Sequence, residues 1–212
     1  MCMSRTETLS EQALQVLEGL QSKKKYIASQ FFYDSEGSRI FQKIMAMPEY
    51  YLTNCEAEIF EVHKHRIGDM FCSGCSSLDL VELGAGDGTK TRILLEHMLR
   101  SGMIVRYLPV DISWEALHQL QSTMRSHLPE VDLHPQHGDY FDMIRKIADR
   151  KQSRKVILFL GSNLGNFSHS RRSSFLRQLR DAMSDDDLLF LGLDLKKDPG
   201  VIRRAYDDPH GF

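Results

Sequence analysis

Near-continuous apolar runs alternate with stretches of helical spacing from about Leu78 onward. The runs are "SLDLVELG", "IVRYLPVDI", "VDLHPQHGDY", "KVILFLGS" and "DLLFLGLDL", the third weaker than the others. Unbroken Val, Ile and Leu predict strands covered on both faces, as in a parallel sheet. Between them lie "TKTRILLEHMLRSG", "SWEALHQLQSTMRSH", "DYFDMIRKIADRK" and "SHSRRSSFLRQLRDAMS". Leu94, Leu95 and Met98 share one helical face, and Gly102 is placed to stop that helix. Ser113 and Ser168 stand where N-caps of the second and fourth helices belong. Strand and helix in this alternation predict a doubly wound, mainly parallel α/β sheet. Ligand sites in such sheets lie at the carboxyl ends of the strands. Every distinctive polar cluster of the chain falls at one of those ends.

Residues 1–77 have mainly helical spacing and read as a helical cap that contributes to a substrate pocket, with residues 78–212 as the α/β core. In "TNCEAEIFEVHKHRIGDMF", Thr53 or Asn54 is expected to cap the helix, with Glu56 and Glu58 favourable in its first turn. Near the other terminus, Asp198 as N-cap and Pro199 at the first helical position predict a short helix toward Tyr206. Five strands would leave an open edge, so the expectation is that the chain is truncated at its C-terminal side or that another chain covers the edge.

Bulk composition narrows the classes. The length of 212 residues suits one well-buried domain, and 42% apolar with 26% charged residues is ordinary for a soluble protein. A net charge of -2 argues against a nucleic-acid groove. No apolar run reaches the ~18 residues of a membrane span. The polar start and the four cysteines point to a reduced, cytoplasmic setting and not to a secreted disulfide scaffold. The lone "CSGC" of Cys72 and Cys75 has neither a second pair nor a strand-to-helix context, so it reads as an incidental loop and no metal site is expected. Oligomeric state is left open.

The candidate chemistry starts at "VELGAGDGTKT". A triphosphate loop needs glycine directly before lysine, but Lys90 follows Thr89. A dinucleotide loop needs G-x-G-x-x-G, whereas Gly84, Gly86 and Gly88 are spaced G-x-G-x-G. The pattern resembles instead the S-adenosylmethionine loop of class I methyltransferases, whose ligand has no phosphate and needs close backbone approach. Asp111, ending the second run, can accept from ribose hydroxyls, or cap the following helix, or do both. In "HGDYFD", Asp139 can accept from an adenine amine while Tyr140 or Phe141 covers the ring; core packing is the alternative for either aromatic. The crowding of Gly161, Asn163, Gly165 and Asn166 in "GSNLGNFS" suits a site that holds a carboxylate or an amine.

"QFFYDSEGSRIFQKI", "MPEYYLTNCEAEIF", "FLGSNLGNFS" and "LGLDLKKDPGVIRRAYDDP" sharpen the match. With them the chain resembles the histidine-specific Nα-methyltransferases of ergothioneine biosynthesis from about Gln30 onward. That resemblance implies a five-stranded sheet of order 3-2-1-4-5. It implies S-adenosylmethionine contacts from Gly84, Gly86, Lys90, Asp111, Asp139 and Tyr140, with Lys90 at the cofactor's amino-acid end. It implies amino-acid substrate contacts from Tyr33, Tyr50, Gly161, Asn166 and Tyr206, with Tyr50 near the reacting amine as the catalytic residue. On their own, Tyr50 and Tyr206 read as structural aromatics rather than as site residues. The family continues beyond "YDDP", which leaves two alternatives: a homologue that binds the cofactor without turnover, or a methyltransferase of a tryptophan-derived amine.

Overall fold

The computed structural model describes residues 10–32, 35–150, 153–208 and 210–211. Helices α1 (Glu11–Gln21), α2 (Ser35–Met45) and α3 (Leu52–Cys72) precede the sheet. Then follow β1 (Ser77–Leu83), α4 (Thr89–Arg100), β2 (Ile104–Asp111), α5 (Trp114–His127), β3 (Asp132–Leu133), β4 (Gln136–His137) and α6 (Tyr140–Ala148). β5 (Arg154–Phe159), α7 (His169–Ala182), β6 (Leu188–Leu191) and α8 (Pro199–Tyr206) complete the order.

All strand pairs are parallel, in the order β3-β2-β1-β5-β6, with β4 also on β2. The expected 3-2-1-4-5 order therefore holds, with its third strand in two pieces. Pro135 lies between the pieces and has no N–H to give the ladder. The N–H of His134 still reaches Tyr107 O at 2.8 Å and that of Gly138 reaches Asp111 O at 3.1 Å. Pairing thus carries through to the segment that starts α6.

Alternation along the strands sends residues to two cores. Leu78, Leu80, Val105, Tyr107, Val156 and Leu158 face one side, packed under α3, α4 and α5 through Phe60, Phe71, Leu94, Met98 and Leu120. Val81, Leu83, Leu108, Val110, Ile157 and Phe159 face the other, under α6 and α7 through Ile144, Ile147, Phe175 and Leu179. Full burial of β1 and β5 on both faces explains their unbroken apolar runs. α3 is thus part of the layer that covers the sheet.

The caps expected at Ser113, Ser168 and Asp198 are present, accepting from the N–H of Ala116, Arg171 and Gly200 at 3.2, 3.3 and 2.7 Å. The cap expected at Thr53 or Asn54 is not. α3 begins two to three residues earlier, with Tyr51 in the N-cap position and no side-chain cap bond, so Glu56 and Glu58 lie beyond its first turn instead of in it. Burial of Leu52 in a third small cluster with Met47, Tyr50 and Ala205 sets that start. No helix among the described residues is long and apolar enough to cross a membrane.

Candidate active site at the carboxyl ends of the strands

β1 runs straight into the glycine loop. The N–H groups of Gly84 and Ala85 both donate to Val110 O, at 2.8 and 3.0 Å, which folds the loop back over the end of β2. Gly84 has φ +79°, and a Cβ there would lie 2.7 Å from the Tyr140 hydroxyl and 3.4 Å from Asn163 Nδ2. Only glycine keeps that space clear. Gly88, with φ +71°, enters α4 in the left-handed region, and a Cβ would meet Leu120 and Met124.

Asp111 ends β2 directly beneath this loop. Its Oδ2 accepts from Gly86 N at 3.0 Å and its Oδ1 from Ser113 N at 2.9 Å. Burial pushes its carboxyl above the usual range, against the opposing effect of those N–H bonds. Asp111 therefore shapes the loop and starts α5, and each oxygen retains a lone pair.

Asp139 caps α6, its Oδ1 accepting from Phe141 N at 2.7 Å and Asp142 N at 3.0 Å. Tyr140 packs its ring edge-on against Phe159, with centroids 5.3 Å apart, and points its hydroxyl at Gly84. Phe141 packs on Phe167 and Phe175, so it belongs to the core layer. Beside Asp111, the Trp114 and His137 rings stack at 4.2 Å and 6° on the outer flank.

Lys90 lies in the first turn of α4, and its Nζ pairs with Glu56 Oε2. The other oxygen of Glu56 accepts from Gly161 N at 2.7 Å. One carboxylate from α3 thereby joins the glycine-loop helix to the end of β5. The next residue, Ser162, has φ +54° and is the one non-glycine at positive φ among the described residues. Its hydroxyl accepts from Asp194 N at 2.7 Å. A strained residue at a strand end, held by a neighbouring strand's loop, fits a functional position.

Asp194 also binds Tyr51 Oη at 2.5 Å and Lys197 Nζ at 2.5 Å, and Lys197 sits 4.0 Å over the Tyr51 ring. Burial opposes the charge of Asp194, but the bonds from Lys197 and Tyr51 outweigh it and hold its carboxyl below the usual range. Next to this cluster, Tyr50 is buried and stands edge-on to Phe41 and Tyr206, with centroids 6.2 and 6.0 Å apart. Tyr206 itself is 59% exposed.

Asn166 closes a 3-10 turn from Asn163, and its Nδ2 lies 3.5 Å from Asn163 Oδ1. Among the described residues Asn166 and Tyr206 share no hydrogen bond; the Ser162–Asp194–Tyr51 chain links the loop of Asn166 to Tyr51, whose neighbour Tyr50 meets the Tyr206 ring. Tyr33 lies outside the described residues. Sequence reading missed Glu56, Tyr51, Asp194 and Lys197 as site residues. The only available signal was their place within "EYYLTNCEAEIF" and "LDLKKDP", since their partners lie 34 and 143 residues away.

Glu82 is buried behind the loop, accepting from Thr91 Oγ1 at 2.7 Å and from the Tyr107 hydroxyl. Burial pushes its carboxyl up to about 7, although the Tyr107 and Thr91 bonds oppose the rise. A raised carboxyl pKa means the fold prefers the protonated form. Its contribution to stability is full below about pH 4.5 and is lost as pH rises through about 7. A gap of that size corresponds to roughly 3 kcal/mol. Denaturant unfolding of wild type and Glu82→Gln at about pH 5 and about pH 8 checks this. The wild type should lose stability relative to the variant on going to the higher pH, and equal slopes would contradict it.

The "CSGC" thiols take no part in the site. Both pack against the core under α3, and burial pushes the Cys72 thiol up to about 11, far from an activated thiolate. No His, Cys, Asp and Glu group among the described residues has metal-holding geometry.

Comparison with known proteins bears on this arrangement. The chain is 36% identical over 196 residues to a histidine N-alpha-methyltransferase of Mycobacterium tuberculosis, covering 92% of this chain and 59% of that protein. It is 32% identical over 182 residues to an ergothioneine biosynthesis protein of Neurospora crassa, covering 85% of this chain and 20% of that one. The chain thus spans about three-fifths of the mycobacterial relative's length. Among solved structures, magnesium protoporphyrin IX methyltransferase from Synechocystis superposes with TM-score 0.53 at 14% identity, covering 83% of this chain and 81% of that one. At that identity the likeness concerns the fold alone. Residues 12–212 match the family described as "Histidine-specific methyltransferase, SAM-dependent", and the chain belongs to that family.

Proposed function

We propose that the protein is an S-adenosylmethionine-dependent N-methyltransferase acting on the α-amine of histidine, in a cytoplasmic route toward ergothioneine. In this reading residues 1–77 cap the substrate pocket and residues 78–212 form the cofactor-binding core. The observation that carries it is the half-buried Asp111 carboxylate at the end of β2, bonded to Gly86 N–H in a loop that lacks phosphate-binding spacing. The residues present fit this cofactor. The space that a Cβ on Gly84 would fill stays open under Tyr140, and Lys90 and Asp111 stand on either side of the loop.

S-adenosylmethionine supplies, when bound, an electrophilic methyl group on a sulfonium. The chain's own task is to hold and align. Asp111 takes the ribose hydroxyls, Asp139 and Tyr140 the adenine, and Gly84, Gly86 and Lys90 the amino-acid end. Gly161, Asn166 and Tyr206 hold the amino-acid substrate, and Tyr33 lines the same pocket. Tyr50 orients the amine, which must first lose its proton because an ammonium has no lone pair to attack with. Placing amine and methyl carbon about 3–3.5 Å apart in line provides most of the acceleration, since such alignment is worth roughly 7–11 kcal/mol.

Calorimetric titration with S-adenosylhomocysteine, followed by histidine and a panel of other amino acids, tests this assignment. Tight cofactor binding and a preference for histidine support it, and no cofactor binding refutes it. Asn166→Ala should spare cofactor affinity and weaken histidine capture about tenfold or more, since a hydrogen bond to a charged carboxylate is lost. Loss of both affinities together would contradict that division of roles.

A further inference from the structure

We propose that Glu56 is the anionic half of the subsite for the cofactor's amino-acid end, so that Lys90 and Glu56 together select a zwitterion and not merely an anion. The inference rests on the cofactor reading above and extends it to a residue of α3, the helix that packs beside α4 on the same face of the sheet. Glu56 projects from the second turn of α3, and its side chain is 15% exposed beside a Lys90 side chain at 25%. Its two oxygens have separate partners, Gly161 N at 2.7 Å and Lys90 Nζ. A Cβ on Gly192 would overlap its Oε1, so the β6 end also approaches it closely. The carboxylate therefore stands where α3, the start of α4 and the ends of β5 and β6 converge.

A single lysine at this point would suit any carboxylate ligand. The amino-acid end of the cofactor carries an ammonium one carbon from its carboxylate, and a paired cation and anion offer both complementary charges side by side. A carboxylate has about four acceptor sites, of which the two bonds in the structure use two. The remaining sites can accept from an ammonium while Lys90 donates to the neighbouring carboxylate. Partial burial keeps these charges less screened than on an open surface. Holding Gly161 N–H with the same group fixes the strand end against which the ligand would rest.

The test compares three ligands by calorimetry: S-adenosylhomocysteine, its deaminated analogue that keeps the carboxylate, and 5′-methylthioadenosine, which lacks the amino-acid group. Wild type should prefer S-adenosylhomocysteine over the deaminated analogue by about tenfold or more, the scale of a charge-assisted hydrogen bond. Glu56→Gln keeps the shape and an acceptor for Gly161 N–H. It should erase that preference and leave 5′-methylthioadenosine affinity within about twofold. Lys90→Met should weaken both carboxylate ligands and again spare 5′-methylthioadenosine.

Equal losses for all three ligands in Glu56→Gln would show that Glu56 only shapes the pocket, and would overturn the proposal. Unchanged discrimination in a folded Glu56→Gln, checked by its thermal transition, would do the same. Should that variant fail to fold, the wild-type ratio alone decides: no preference for the ligand bearing the ammonium sinks the idea. Binding of 5′-methylthioadenosine without discrimination leaves the cofactor reading standing while the Glu56 role falls. Wild type that binds none of the three overturns both.

Discussion

Replacing Lys155 with methionine is expected to destabilise the fold by about 3–5 kcal/mol, the usual cost of stranding one member of a buried ion pair. Lys155, the second residue of β5, has its side chain 1% exposed, and that of Asp187, just ahead of β6, is 2% exposed. Their charges meet at 2.8 Å. Asp187 also accepts from Lys155 N and Ser184 N, each at 2.7 Å, and Lys155 Nζ donates to Arg150 O at 2.9 Å. Burial opposes the charge on Asp187, yet these bonds outweigh it and hold its carboxyl below the usual range.

In Lys155→Met the carboxylate would remain enclosed without its counter-charge. Lys155→Met combined with Asp187→Leu removes both charges and should recover much of the loss. Denaturant unfolding of wild type, single and double variants measures it. A double variant no more stable than the single one would show that the backbone bonds to Asp187, and not its charge pairing, hold the β5–β6 junction. A domain of ordinary stability has only ~5–15 kcal/mol to lose, so the single variant should be visibly compromised at moderate temperature.

Asp111→Ala is expected to weaken binding of S-adenosylhomocysteine by about 2 kcal/mol or more, roughly 30-fold, as charge-assisted bonds to the ribose are lost. The structure adds a second route to the same loss. Asp111 also fastens Gly86 N–H and Ser113 N–H, so its removal frees the glycine loop from the end of β2. Asp111→Asn separates the two effects. Its amide oxygen can still serve one backbone N–H, while the negative charge proposed to meet the ribose is gone. Calorimetry on both variants should therefore show a graded loss, alanine beyond asparagine. Wild-type affinity in a folded Asp111→Ala would assign the residue to capping alone.

Much of the architecture was legible because its causes are local. The unbroken apolar runs of β1 and β5 follow from burial on both faces, and Ser113, Ser168 and Asp198 announce helix starts by bonding within three residues. Thr53 misled because the start of α3 is set by Leu52 docking in a small cluster with Ala205 of α8, a contact that no local pattern encodes. The weak third run was weak for a cause visible in the chain: Pro135 divides it. The glycine loop, Asp111, Asp139 and Tyr140 could be placed together because a parallel sheet gathers its strand ends. Glu56 could not be placed, since helix amphipathicity says which face is buried but not which carboxylate of α3 will meet Lys90 of the adjacent α4. The same holds for Tyr51 and Asp194, which join elements from opposite parts of the chain.

The central claim is methyl transfer to the α-amine of histidine, and one measurement addresses it directly. The protein is incubated with histidine and S-adenosylmethionine carrying a deuterated methyl group, and the histidine is then read by tandem mass spectrometry. The account predicts label on the α-nitrogen, absent from the imidazole and lost when Tyr50 or Asn166 is replaced. Histidine recovered without label, from protein shown by calorimetry to bind the cofactor, would contradict it.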